Sequence, residues 1–338
     1  MTGNIGSANI KIVGCGGGGS NAVNWLYKKG VKGADIVAVN TDKQHLDLIE
    51  ADKKILIGQT LTRGLGCGGF PEKGAEAAKE QIQEIKEALK NSDMVFITAG
   101  LGGGTGTGSA PIIAKVAKES GAIVIAAVTM PFSLERARIE KAEFGLERLR
   151  EVCDTVIVID NNRLNAIAGN LPIQQAFAVA NELVSLMIKG IVEIIAIPSL
   201  VNLDFADVKA IMSEGDVSIV GIGESNTTKR IEEATQKALD NKLLDVDYSG
   251  ATGALIHITG GLDLKLDEVS LAGQLLTENL APDANVIWGA RIDETFSGKV
   301  QIMAIITGVK SPYILGKEAK KLVNRRQEYN PALGIDVI

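Results

Sequence analysis

"GLGGGTGTGSAP", residues 100–111, decides how this chain is read. It follows the apolar run "MVFITA" (94–99) and opens a helix-compatible segment, 106–119. Four of the five residues from Gly102 to Gly106 lack a side chain, and Thr105 and Thr107 offer hydroxyls to a phosphate or a hydrated cation. Bare backbone lets N–H groups at a helix N-terminus approach an anion closely, where the helix dipole favours negative charge. The plain alternative is a loop that needs positive φ at several places. Seven residues of such low helix and strand propensity are an expensive way to build one connection. The stretch reads as a phosphate cradle.

A second glycine cluster, "GCGGGGSNAVNWL" (14–26), stands after the first strand. Gly14, Gly16 and Gly19 satisfy G-x-G-x-x-G before a helix. Alone, that match is as often a tight strand-to-helix turn as a nucleotide site. No G-x-x-x-x-G-K-[ST] occurs, so charge neutralisation falls to backbone dipoles and a metal ion rather than to a P-loop lysine. A nicotinamide site fits poorly as well. Asn40 and Thr41 follow "DIVAV" (35–39) where a ribose-binding acid is expected, and a dehydrogenase has no use for a second cradle.

Outward from the cradles, "NIKIVG" (9–14), "DIVAV", "MVFITA", "AIVIAAV" (122–128) and "TVIVID" (155–160) read as buried parallel strands. Helix-compatible segments 20–29, 75–90, 106–119 and 138–151 separate them. This alternation predicts an α/β fold with a doubly wound parallel sheet, and ligands in such sheets bind beyond the carboxyl ends of the strands. Pro172 is placed as the first residue of a long helix reaching Ile195, apolar almost all round and expected to be buried between two layers. A smaller α/β unit follows: helix 205–213, strand 217–222, helix 227–240, strand 253–259, helix 266–279, and strands 285–290 and 299–307. The expected division is a nucleotide-binding domain (1–171), a central connecting helix (172–196), a C-terminal domain (197–310) and a polar tail (311–338), in which "KEAKKLVNRRQEY" has helical composition.

Composition narrows the function. The 338 residues are 46% hydrophobic and 22% charged, as in a globular protein. Acids outnumber bases 41 to 35, which argues against nucleic acid or an anionic membrane as an electrostatic partner. Cys15, Cys67 and Cys153 form no C-x-x-C, which suits a reducing cytoplasm better than a disulfide framework or a zinc site. No signal peptide or membrane span is expected, and two histidines leave imidazole catalysis little material.

One feature stands apart from the cradles: "SLVNLDFADVKAIM", 199–212, with Asp204 and Asp207 three residues apart. Val201, Leu203 and Phe205 alternate like the end of a strand. Asp204 is then a helix N-cap with Asp207 at N3, and taken alone the pair is structural.

Together "GGGTGTG", "GCGGGGSNAV", "NTD" (40–42), "TRGLGCGGFPEKG" (62–74) and "VNLDFADV" (201–208) resemble the FtsZ family, the prokaryotic cell-division relatives of tubulin. The resemblance spans about residues 9–310. "GIGES", "LLDVD" and "GATGALIH" are closest in wording to archaeal members. It implies a tubulin-like fold and a GTPase, taking GTP/GDP with Mg²⁺, that polymerises head to tail into the division ring. Carried over, Gly17, Gly18, Gly19, Ser20 and Asn21 match the first nucleotide loop, Asp42 closes "NTD", and Gly103, Gly104, Thr105 and Gly106 match the phosphate loop. Glu135 matches the ribose-contacting acid. Asn181 and Glu182 lie at the base-contacting position, with Phe177 one turn earlier as a stacking or core residue. After "PF" this chain is one residue shorter than the family pattern, so Arg138 is the candidate arginine, with Arg136 the alternative. Asn202, Asp204 and Asp207 match the acidic loop that meets the neighbouring subunit's nucleotide. The implied partners are other copies of the chain and division-site membrane-anchor and regulatory proteins, with no direct membrane insertion. The implied location is the cytoplasmic mid-cell ring. The other readings are a nicotinamide-dependent oxidoreductase and a nucleotide-binding scaffold that hydrolyses negligibly.

Overall fold

The computed structural model describes residues 8–164, 168–213, 218–240 and 248–309. The first part runs β1 (Ile10–Cys15), α1 (Gly16–Lys29), β2 (Ala34–Asn40), α2 (Lys43–Leu48), β3 (Lys53–Leu56), α3 (Gln59–Thr62), α4 (Pro71–Glu80), α5 (Ile82–Ala88), β4 (Met94–Gly100), α6 (Thr105–Glu119), β5 (Ile123–Met130), α7 (Ala137–Val152) and β6 (Thr155–Asp160). All six strands are parallel, in the order β3-β2-β1-β4-β5-β6. Strand order reverses between β1 and β4, and both glycine clusters emerge at the carboxyl ends of these two strands. A doubly wound sheet opens its ligand crevice at that point.

The cradle loops are glycine-rich partly for packing. A Cβ on Gly19 would overlap the carbonyl of Thr98, and one on Gly108 would overlap that of Pro71. At Gly17 and Gly103, by contrast, a Cβ would meet nothing within 4 Å. Those two are bare where the cradle faces open space.

Helix α8 (Ile173–Ala196) crosses to the second part of the chain, with Pro172 as its N-cap rather than its first residue. Its burial differs from the sequence expectation. Val184, Met187, Ile188, Ile191 and Val192 are buried, whereas Gln174 and Phe177 are exposed, so only the C-terminal half lies between layers. Ser185 fixes α8 to α1 by donating its hydroxyl to the Ala22 carbonyl at 3.0 Å.

The second part comprises α9 (Phe205–Ser213), β7 (Ser218–Ser225), α10 (Arg230–Leu239), β8 (Gly253–Gly260), α11 (Leu266–Thr277), β9 (Asn285–Ile292) and β10 (Val300–Thr307). Its sheet has the order β7-β10-β8-β9, with β10 antiparallel to both neighbours and β8 parallel to β9. One hydrophobic core joins this sheet, α8 and one face of the first sheet, and a second fills the first sheet's other face. The expected strand ending at Phe205 is not formed: only Val201 bridges to Ala290, and Phe205 begins α9. The tail 311–338, with its expected helix, lies outside the described residues.

Candidate nucleotide site

The glycine clusters, the β5–α7 connection and the first turns of α8 enclose a cavity of about 630 Å³. Its floor is backbone. Gly17 and Gly18 come from the first turn of α1, and Gly103, Gly104, Thr105 and Gly106 from the start of α6. The N-terminal dipoles of two helices thus face one space, which suits an anion of high charge. Gly103, Gly104, Thr105 and Gly106 all line the cavity.

One wall holds an acid and a base. Glu135 accepts from the Phe132 N–H at 3.0 Å and pairs with the Arg138 guanidinium at 2.5 Å. Both line the cavity, and Arg136 does not. Arg136 instead holds φ 32°, a strained value for a residue with a side chain, at the junction into α7. The opposite wall comes from α8. Asn181 lines the cavity, and the half-exposed Phe177 ring meets Phe132 edge-on, with centroids 5.7 Å apart and planes at 76°. An aromatic ring on a cavity wall can stack on a planar group.

Other predicted residues stand back from the cavity. Gly19 and Ser20 are buried behind the first loop, and Glu182 lies one residue past Asn181 without lining the space. Asp42 caps α2, its Oδ1 accepting from the His45 N–H at 3.0 Å. The His45 ring then bridges Asn40 and Asn21, the latter on the cavity lining.

Thr129, Pro131, Asn161 and Gln174 also line the cavity, and sequence reasoning missed them. Asn161 is the informative one: its Oδ1 is buried with no hydrogen-bond partner. A buried acceptor left unpaired costs on the order of 1–3 kcal/mol, so one on a cavity wall is suited to a ligand donor. The available signal was its place directly after β6, at the same end of the sheet as the cradles.

Asn202, Asp204 and Asp207 are not in this cavity. The Asp204 N–H donates to Asp207 Oδ2 at 3.0 Å, and the Asp207 N–H donates to Asp204 Oδ1 at 2.8 Å. This reciprocal pair is the capping box expected at the start of α9. Asn202 Oδ1 accepts from the Ser199 N–H at 2.5 Å, holding the preceding turn.

A family model described as Tubulin/FtsZ family, GTPase domain, matches residues 9–169, and one described as FtsZ family, C-terminal domain, matches residues 216–310. The chain belongs to the FtsZ family. The Cell division protein FtsZ 2 of Methanocaldococcus jannaschii is 58% identical over 319 residues, covering 94% of this chain and 84% of that protein. The empty FtsZ dimer of M. jannaschii superposes with a TM-score of 0.85 at 51% identity, covering 90% of this chain and 89% of that one. CetZ1 of Haloferax volcanii, solved as a GDP-bound monomer, gives 0.80 at 25% identity, covering 94% and 99%. Membership of the FtsZ family makes this chain a tubulin-like GTPase of the cell-division type. Among the described residues no helix is long and apolar enough to cross a membrane.

Proposed function

We propose that this GTPase assembles head to tail into filaments of the division ring, and that each subunit hydrolyses GTP only with the acidic loop of its neighbour. The observation that carries the reading is the separation between cradle and acids. Asn181 lines the cavity near one end of α8, and the acidic loop follows its other end at Ala196. Fifteen residues of helix span roughly 22 Å, and neither Asp204 nor Asp207 lines the cavity, which supports acids that serve a nucleotide held by another chain. A subunit stacked end to end brings one chain's acids to the next chain's cradle.

In this reading the backbone of Gly17, Gly18 and Gly103–Gly106 holds the phosphates, with Gly19, Ser20 and Asp42 shaping the loops behind. Glu135 and Arg138 hold the ribose side, Phe177 stacks on the base, and Asn181 with Glu182 offers acceptors to guanine N–H groups. Asn161 adds a further acceptor. The neighbour's Asp204 and Asp207 orient the attacking water and take its proton late, and Asn202 fixes their loop. The donor set fits Mg²⁺ held mainly by phosphate oxygens and water: the cavity wall offers the Thr105 hydroxyl, while Glu135 is already paired. When bound, that ion offsets phosphate charge and lets two acids approach a triphosphate. The backbone N–H groups stabilise charge developing on the phosphate oxygens.

The dimer form of the M. jannaschii relative supports self-association, and the GDP bound by CetZ1 supports the choice of nucleotide. The same reading divides the chain into a nucleotide domain to residue 171, the connecting helix 172–196, and a C-terminal domain to 310 presenting the acids. It places the protein at mid-cell with membrane-anchor and regulatory partners. Phosphate release and light scattering followed on one dilution series test it. Turnover per subunit should rise with concentration and vanish below the assembly threshold. Full-rate hydrolysis by a monomeric sample would overturn the proposal.

A further inference from the structure

Thr41 directly follows β2, in "NTD", and is fully buried. It does not line the nucleotide cavity, yet its Oγ1 lies 2.7 Å from Oγ1 of Thr105, which does. On its other side the Cys67 thiol donates to the same Thr41 oxygen at 3.5 Å. Cys67 belongs to the loop between α3 and α4, and that loop is tied to Thr41 once more. The Gly66 N–H donates to the Thr41 carbonyl at 3.2 Å.

These contacts give the hydroxyl chain a direction. With the Cys67 S–H donating to Thr41 Oγ1, the Thr41 proton has one remaining neighbour, Thr105 Oγ1. Thr105 then accepts from within the protein, and its own proton has no protein acceptor among the described residues. Being at the first position of α6, it has no carbonyl four residues back inside the helix to take that proton. The open side is the cavity.

We propose that Thr41 is a positioning residue for the nucleotide phosphates: its buried hydroxyl, set between Cys67 and Thr105, fixes the Thr105 hydroxyl as a donor aimed into the cavity. This rests on the cavity being the nucleotide site. Thr105 touches the phosphate oxygen, and Thr41 acts only through it. The same contacts couple the α3–α4 loop to the phosphates. That loop holds left-handed backbone at Arg63, Gly64, Gly66, Gly68 and Gly69, and it lies directly on Gly104, where an added Cβ would come 2.7 Å from the Cys67 Cβ.

The test is a double-mutant cycle on the full chain, read as the dissociation constant of a fluorescent GDP analogue below the assembly concentration. Thr105→Ala should weaken binding at least tenfold, as expected for losing a hydrogen bond to a charged group. Thr41→Val should weaken it about fivefold in the wild-type background and less than twofold on top of Thr105→Ala. Thr41→Ser, which restores the hydroxyl, should bind within twofold of wild type. A Thr41→Val penalty equally large in both backgrounds would mean a structural role and overturn the proposal, as would wild-type affinity in Thr41→Val. Unchanged affinity in Thr105→Ala would instead overturn the cavity assignment itself. Thermal unfolding monitors integrity, and Thr41→Ala carries the same cycle if the valine variant does not fold.

Discussion

At the scale of single residues, Asp204 and Asp207 have a capping role in the structure and a catalytic one in the proposed function, and substitutions can separate the two. Each carboxylate accepts the other's backbone N–H, so each has a structural role at the start of α9 whatever its chemistry. An amide oxygen accepts that bond as well as a carboxylate oxygen does, but it cannot take a proton from water. Asp207→Asn should therefore leave urea unfolding close to wild type while cutting assembled GTP turnover about a hundredfold, the lower range for loss of a general base. Asp204→Ala removes the cap too, and should cost about 1 kcal/mol of stability besides its turnover. Phosphate release and urea midpoints on the same two variants check both halves. Equal stability losses with little change in turnover would leave the pair a plain capping box.

At the scale of elements, β8 carries a titration that should mark the whole fold. Ile256 and Ile258 line the groove under α11, so His257 between them points to the opposite face. Its register partner there is Met303, which reaches Gly190 of α8 so closely that a Cβ on that glycine would overlap the methionine. Burial, and secondly the charge of Arg291, bring the His257 pKa from 6.5 down to about 4. A base with its folded pKa below the unfolded value is protonated first in the unfolded chain. Stability is then complete above pH 6.5 and is lost as pH falls from there toward 4. Between pH 7 and pH 5 the loss should be about 2 kcal/mol, and His257→Leu should abolish it in paired urea titrations. Asp263 and Glu268, held low by the Arg230 guanidinium bonded to both, lose their contribution only as pH falls below their ordinary values of 3.8 and 4.5, outside this window. The elements also show what was legible. The strands of the first sheet declared themselves because both faces are covered, leaving continuous apolar runs. The edge strand β3, "KKIL", is short, with two lysines, and gave no such pattern. The 75–90 segment breaks at Gln81, whose side chain accepts from the Gly58 N–H, a contact no helical period foretells. The glycine loops of the cavity were readable because they present backbone rather than side chains to it. Thr129 and Asn161 were not, since each is an ordinary polar residue at a strand end, and only the fold brings them to one cavity.

At the scale of the whole molecule, the cavity and the acidic loop lie toward opposite ends of α8, and in the proposed assembly a complete site needs two chains. A contact joining one end to the other is heterologous and extends without closing. This arrangement permits a complementation experiment between two inactive chains. Asp207→Asn retains the cradle and lacks a competent acid. Gly103→Asp retains the acids but sets a carboxylate in the cradle, at a position where its Cβ meets no neighbour, so the chain should fold and fail to hold phosphate. In an equal mixture, a productive junction needs the cradle from the first variant and the acids from the second. Random incorporation places that combination at about one junction in four, so turnover should recover to as much as a quarter of the wild-type rate while each variant alone stays near background. Recovery should disappear on dilution below the assembly threshold, because it depends on contact between chains. A mixture no more active than its parents, in samples that electron microscopy shows to contain filaments of both variants, would remove the shared site, and with it the reason for keeping the acids and the nucleotide at opposite ends of one helix.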